Sequence, residues 1–349
     1  MQKYFNAKLI IDWYELNKRK LPFRFSRDPY KIWLSEVMLQ QTQVVTMCSY
    51  YINWINKYPN IKSVISVPYE KVLKNWEGLG YYRRCKNFYD ALNIVNTKYE
   101  GKVPKDYKRF KELPGVGEYT ASAVLSIAYN KKYIVIDGNV KRVFSRYLGI
   151  KKLTKYNILR IRNFLNNLIR FTTPGIFNQS IMEIGAVLCK KGQPKCHQCP
   201  LKINCTANFK KNPQLYPKVL KKNKLKTEQY LGLILRNKNK FIVIKNEKRL
   251  LNGLWNFPIY KIKKNNILKS YISKILREKL ILGNDYNYLK KLGIIKHSFS
   301  HYKLKIIYYE CFLIRPFPIK SNMKWISKLE IDCFPFSKIF FKGLKLTSI

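Results

Sequence analysis

The hydrophobic pattern changes character partway along the chain. Over residues 32–55, 64–76, 121–128, 140–148 and 158–169, apolar side chains recur every three or four positions, the period of a helix with one buried face. Tyr58-Pro59, Gly78, Gly80, Pro104 and Thr173-Pro174-Gly175 punctuate these stretches as stops. A lysine-rich segment at 210–226, broken by Pro213 and Pro217, reads as an exposed linker. From Tyr230 the texture is that of short strands, at 230–235, 241–244, 294–297 and 305–313, with a helix at 267–280 between them. The pattern predicts a mainly α N-terminal region (1–209), a basic linker (210–228) and a smaller α+β domain (229–349). At 349 residues, two domains are the natural division.

Composition sharpens this. With 46% hydrophobic and 15% aromatic residues the chain can bury real cores, which excludes a disordered tail or a disulfide-stapled miniprotein. No run of about 18 uncharged apolar residues exists to span a membrane. Residues 1–9 include Asn6 and Lys8 and lack a signal peptide's apolar segment, so a cytoplasmic chain is expected. Sixty-eight Lys and Arg against twenty Asp and Glu give a net charge of +48, a field that attracts polyanions, nucleic acid above all. The excess covers both halves, and Lys, Asn, Ile and Tyr are used heavily throughout, as an A+T-rich coding sequence would produce. Roughly half of the excess is assigned to that bias, so charge alone does not establish DNA binding.

Four of the eight cysteines cluster: Cys189, Cys196, Cys199 and Cys205. In a cytoplasmic chain such clustering suggests metal rather than disulfides. Four thiolates close around either one zinc or a 4Fe–4S cluster, and ligand count alone leaves both open. Lys190, Lys191 and Lys195 in the same loop suit phosphate contacts. Cys48, Cys85, Cys311 and Cys333 are scattered and read as buried thiols.

Two further segments carry chemistry. Leu113-Pro114-Gly115-Val116-Gly117 lies between helical stretches, and its glycines permit a tight turn with backbone amides at the next helix's N-terminus, a phosphate site that needs no side-chain charge. About twenty residues on, Asp137 opens another helix, either as an N-cap or as a carboxylate facing bound DNA. In the helical stretch Trp33 to Val44, Glu36 has Ile32, Trp33 and Leu39 as neighbours. A carboxylate on so apolar a face is desolvated, which raises its pKa toward that of a general acid.

Taken together, these segments resemble the MutY-type adenine DNA glycosylases of the endonuclease III superfamily. The cysteine spacing resembles that superfamily's cluster loop, which implies one 4Fe–4S cluster. The hairpin with Asp137 resembles the helix–hairpin–helix signature of base-excision glycosylases, and Trp33 to Val44 resembles the catalytic-acid helix. Gly78-Leu79-Gly80-Tyr81-Tyr82-Arg83-Arg84 resembles the DNA-wedge loop. Gly253-Leu254-Trp255-Asn256-Phe257-Pro258 and His297-Ser298-Phe299-Ser300-His301 are similar to the family's C-terminal, Nudix-like domain. The resemblance runs roughly from Trp13 to Trp325. It implies two helical lobes with the cluster loop, a Nudix-like domain, and excision of adenine paired with 8-oxoguanine, or less well with guanine, in double-stranded DNA, by a monomer.

The implied roles follow the same motifs. Glu36 and Asp137 carry the chemistry and Tyr119 and Asn139 position them. Gln41 and Tyr81 wedge the stack, and the hairpin (Leu113, Gly115, Val116, Gly117) with Lys190 and Lys191 holds the backbone. Arg24 and Gln179 contact the target base, and Phe299, Ser300 and His301 read the damaged guanine. Bifunctional relatives carry a Schiff-base lysine where this chain has Tyr119, so strand nicking is not expected. Phe23 stands where many members have Trp. No Gly-x5-Glu-x7-Arg-Glu box is present, which argues against nucleotide pyrophosphatase activity. The competing readings are an endonuclease III-like glycosylase/lyase and a non-catalytic iron–sulfur DNA-binding protein; Tyr119 opposes the first and the retained carboxylates the second.

Overall fold

The structure is a computed structural model that describes residues 7–218, 225–247, 251–262, 269–280, 286–299, 302–314 and 319–347. Ser300 and His301 lie outside the described residues. Twelve helices come first: α1 (Ala7–Asn17), α2 (Pro29–Leu39), α3 (Val44–Lys57), α4 (Ile61–Ile65), α5 (Tyr69–Asn75), α6 (Arg83–Lys98), α7 (Tyr107–Lys111), α8 (Glu118–Tyr129), α9 (Gly138–Leu148), α10 (Lys155–Ile169), α11 (Pro174–Val187) and α12 (Thr206–Phe209). None of the described helices is long and apolar enough to cross a membrane.

α2 starts where Asp28 accepts from the Tyr30 amide and Pro29 occupies the first turn, whose amides need no partner. Every side chain from Ile32 to Met38 is buried, with Trp33 edge-on to Phe88 and Phe110. α2 packs on α8. In the other lobe, α1, α9, α10 and α11 close on Ile10, Val143, Phe144, Ile161, Leu165, Phe177 and Ile181. The cysteine loop leaves the end of α11 and packs on this same core through Leu188 and Leu201.

The C-terminal part is α+β, with β1 (Lys226–Asn237), β2 (Lys240–Lys245), β3 (Trp255–Asn256), β4 (Ile259–Ile262), α13 (Lys269–Leu280), β5 (Tyr286–Ser298), β6 (Tyr302–Leu313), β7 (Met323–Ser327) and α14 (Lys338–Leu344). The sheet runs β3-β2-β1-β6-β5, with β4 also on β1 and β7 also on β2. Only the β1–β6 pairing is parallel among those described. α13 lays Ile272, Ile275, Leu276 and Leu280 against Leu231, Leu233 and Leu235.

Three expectations are corrected. The helix read over 32–55 is two helices, broken at Gln40–Gln43, where Gln41 takes φ +58°. The segment read as an exposed linker from 210 is docked over its first part: Tyr216 is buried, Arg146 binds the carbonyls of Pro213 and Tyr216, and the Lys218 amide reaches the Lys151 carbonyl. Finally, the chain divides into residues 1–66 with 87–221 and residues 67–86 with 222–349: one boundary falls inside the 210–228 segment, but 67–86, read as part of the N-terminal region, groups with the second unit. The reason lies in side chains: Glu70 pairs with Lys245 at 2.6 Å, and Glu77 accepts from the Phe336 amide at 2.9 Å. Of the scattered thiols, Cys85 and Cys311 are buried, Cys48 is half-buried and Cys333 is exposed.

Candidate active site

α2 carries Glu36 into the helical unit, where it is 4% exposed. Its Oε2 accepts a hydrogen bond from Tyr119 Oη at 2.5 Å. Burial holds the Glu36 acid up at about 7, and the charge of Asp137 adds to the rise; the Tyr119 hydrogen bond and the Arg24 charge oppose it. Tyr119, one residue into α8, is itself held well above 10 by burial and by Glu36, so its phenol stays neutral and donates.

Asp137 takes the N-cap role. It caps α9, with Oδ1 accepting from the Val140 amide at 2.7 Å, and Oδ2 accepts from Asn139 Nδ2 at 3.0 Å. A carboxylate has about four acceptor positions, so the cap fixes its orientation without exhausting it. Burial pushes its pKa up, against those same hydrogen bonds. Asn139 Oδ1 accepts from Arg142 Nη2 at 2.8 Å, and Arg142 also donates to the carbonyls of Gly185 and Cys189, both at 2.7 Å. A Cβ on Gly185 would lie 2.5 Å from Asn139 Cβ, so α11 approaches α9 with room only for a hydrogen.

A second buried acid, Glu183 on α11, was not among the sequence candidates. Its oxygens accept from Arg19 Nε (2.7 Å), Arg19 Nη2 (2.8 Å) and Arg24 Nη2 (2.6 Å). Burial pushes this carboxylate up, but the two arginines outweigh it and bring it down to about 2. The acid sits between Met182 and Ile184, the same apolar context that singled out Glu36. Arg24 and Gln179, both predicted to contact a base, line one cavity of about 270 Å³ with Tyr14, Phe23 and Arg19. Tyr14 Oη donates to Gln179 Oε1 at 3.2 Å, and Arg24 lies over the Tyr14 ring.

The hairpin forms between α7 and α8. Gly115 takes φ +77°, and a Cβ there would also meet Asn87 at 2.8 Å. The Val116 amide is used inside the turn, on the Leu113 carbonyl at 3.1 Å, and both side chains are buried. The Leu113 and Val116 side chains belong to the core, and the turn they shape leads directly into the first turn of α8. Gln41 is exposed at the α2–α3 break, as are Lys190 and Lys191.

The four clustered cysteines line one cavity with Arg146, Leu188, Pro194, Lys195 and Lys202. Arg146 Nη1 lies 3.3 Å from Cys189 Sγ and 2.7 Å from the Lys190 carbonyl. Among the described residues no three His, Cys, Asp or Glu converge tightly enough to hold a single metal ion. In the other unit Tyr81 is 42% exposed. Phe299 follows β5, with its ring on His297 and its amide on the Tyr302 carbonyl.

Residues 34–165 match the HhH-GPD superfamily base excision DNA repair protein family, and residues 230–346 match the NUDIX domain family. An adenine DNA glycosylase of Buchnera aphidicola (subsp. Acyrthosiphon pisum, strain APS) is 38% identical over 312 residues, 88% of this chain and 86% of that protein. The chain belongs to the adenine DNA glycosylase family. Among solved structures, a thermostable thymine-DNA glycosylase aligns at 28% identity with a TM-score of 0.54, covering 58% of this chain and 95% of that one. An endonuclease III trapped on DNA as a covalent intermediate aligns with a TM-score of 0.52 at 24% identity, over 59% and 94% of the two chains, and shows the fold alone. Family membership places the hairpin, Glu36 and Tyr119 inside a DNA-repair domain, since all lie within the matched 34–165.

Replacing the buried acid tests its protonation. A Glu36→Gln chain is expected to lose at least about 100-fold in adenine excision under single turnover. Its stability is informative as well. The Glu36 pKa is raised on folding, so the stability it contributes is complete below its unfolded value and is lost as pH rises through about 7. Thermal melting should therefore show the variant gaining on the parent between pH 4.5 and 7, with a constant gap above; a gap independent of pH would mean Glu36 titrates normally.

Proposed function

We propose that the chain is a monofunctional adenine DNA glycosylase that removes adenine opposite 8-oxoguanine, and less efficiently opposite guanine, from duplex DNA. The observation that carries this is the Glu36–Tyr119–Asp137 constellation: a buried acid with a pKa near 7, a neutral phenol where a Schiff-base lysine would have to be, and a second carboxylate on a helix cap.

The target base is flipped out of the stack. Glu36 gives its proton to the adenine ring, making the base a neutral leaving group. The N-glycosidic bond breaks with its electron pair leaving on the adenine, and the sugar acquires oxocarbenium character. Asp137, ionised, stabilises that cation. Water adds to the sugar and loses a proton, leaving an abasic site. This is the two-carboxylate logic of glycoside hydrolysis on an N-glycoside, with unequal environments assigning acid and anion. Asn139 holds Asp137, and Arg24 and Gln179 contact the base in the cavity they share. The hairpin amides, Lys190 and Lys191 hold phosphates, and Gln41 and Tyr81 fill the gap. Recognition of 8-oxoguanine is assigned to Phe299, Ser300 and His301 on their resemblance to the family's loop. The protein acts as a monomer.

Cys189, Cys196, Cys199 and Cys205 would hold one 4Fe–4S cluster. Four thiols lining a common cavity, in a spacing that resembles the superfamily's cluster loop, support the four-cysteine iron–sulfur reading. Such a cluster supplies a rigid cross-link for the lysine-bearing loop.

Duplexes carrying adenine opposite 8-oxoguanine, guanine or thymine, incubated with and without borohydride, test the activity. Excision is expected in the order 8-oxoguanine, guanine, thymine, with little covalent trapping. Efficient trapping would identify a lyase and contradict the role given to Tyr119. Metal analysis and visible absorption should show about four irons per chain with a broad brown band; one zinc and no iron would overturn the cluster.

A further inference from the structure

Residues 76–84 form a turn whose shape is fixed from within. Gly78, Gly80 and Tyr81 all have positive φ, at +89°, +79° and +50°. The Gly80 carbonyl accepts from Trp76 Nε1 at 3.1 Å and from Arg84 Nη2 at 3.0 Å, and the Gly78 amide donates to Tyr82 Oη at 3.2 Å. The Arg84 guanidinium lies over the rings of both Trp76 and Tyr81, 5.4 Å from each centroid. A left-handed tyrosine is strained and persists only when its surroundings impose it. The outcome is an exposed aromatic ring on a rigid mount, which is what a side chain needs to enter a base stack.

Glu77, the second residue of this turn, ties it to the C-terminal sheet. Phe336 bridges Trp255 in parallel, with the Trp255 amide on the Pro335 carbonyl and the Ser337 amide on the Trp255 carbonyl. In that arrangement the Phe336 N–H points away from β3, and Glu77 Oε1 accepts it at 2.9 Å. Glu77 Oε2 pairs with Lys74 Nζ at 2.7 Å, and Lys74 Nζ also reaches the Ile331 carbonyl at 3.3 Å. One turn earlier, Leu73 lies so near Gly253 that a Cβ there would come within 2.9 Å of its Cδ2. α5 and the turn after it are thus hydrogen-bonded to the 331–336 segment and packed close to Gly253.

We propose that Glu77 is a positioning residue that fixes the Tyr81 turn to the C-terminal domain, so that reading the base opposite the target and inserting Tyr81 into the stack occur as one mechanical event. This rests on the functional reading above. It explains why the chain's compact units cut across its sequence, with 67–86 belonging to the domain that follows the linker.

The test uses the full chain with Glu77→Ala, Glu77→Gln, Tyr81→Ala and the Glu77→Ala/Tyr81→Ala pair. Duplexes carry adenine opposite 8-oxoguanine or guanine, with 2-aminopurine beside the mispair to report unstacking. Glu77→Ala should slow the unstacking phase about tenfold and narrow the preference for 8-oxoguanine, while Glu77→Gln, which keeps an acceptor for the Phe336 amide, stays within about twofold of the parent. The double variant should be no slower than Tyr81→Ala, because Glu77 acts through that ring. Additive losses in the double variant, equal losses in the Gln and Ala variants, or unaltered unstacking in Glu77→Ala would overturn the proposal. A parent chain that unstacks both duplexes but excises nothing would instead defeat the functional reading, since the unstacking phase alone judges Glu77.

Discussion

The proposed active site depends on burying one carboxyl without giving it a cation of its own. Glu36 and Glu183 are both buried glutamates in the helical unit, yet their acidities are driven apart, to about 7 and about 2. The difference is the arginines. Arg19 and Arg24 are both bonded to Glu183, and Arg24 reaches Glu36 only as a weak opposing charge. The result is an acid that keeps a large protonated fraction at neutral pH, and burying that neutral form costs far less than burying an unpaired carboxylate.

The rest of the helical unit holds that acid's partners in place. α8 begins at the hairpin and carries Tyr119 to Glu36, so the turn that starts α8 also sets the phenol's distance to the acid. α9 begins at Asp137 and is locked through Asn139 and Arg142 to the end of α11 and the first clustered cysteine. Its next turn brings Arg146 to the cysteine cavity and to the segment before the second domain. The hairpin and Glu36 are therefore joined through α8, and Asp137 and the cysteine loop through α9.

Much of this was legible in the sequence, and the reasons for the exceptions are physical. Periodicity located the helices because their buried faces are apolar, and the Gly-Val-Gly turn and the cysteine spacing are local patterns. The break at Gln40–Gln43 was missed because it contains no Gly or Pro; a glutamine takes the left-handed conformation instead. Glu183 was missed although its flanking residues are as apolar as those of Glu36, because its meaning lies in arginines more than 150 positions away. Short strands such as β3 and β7 left little periodicity to read. The membership of 67–86 in the C-terminal unit rests on long-range contacts such as those of Glu70, Leu73, Lys74 and Glu77, which no local pattern records.

The pH dependence of single-turnover excision at saturating enzyme tests the central claim most directly. If Glu36 must deliver a proton from a site where burial holds it near 7, the rate should fall about tenfold per pH unit above that midpoint. The Glu36→Gln chain should show no such limb in its residual activity. A parent rate that stays level to pH 9 would contradict the account, because an acid ionised throughout that range cannot be the proton donor.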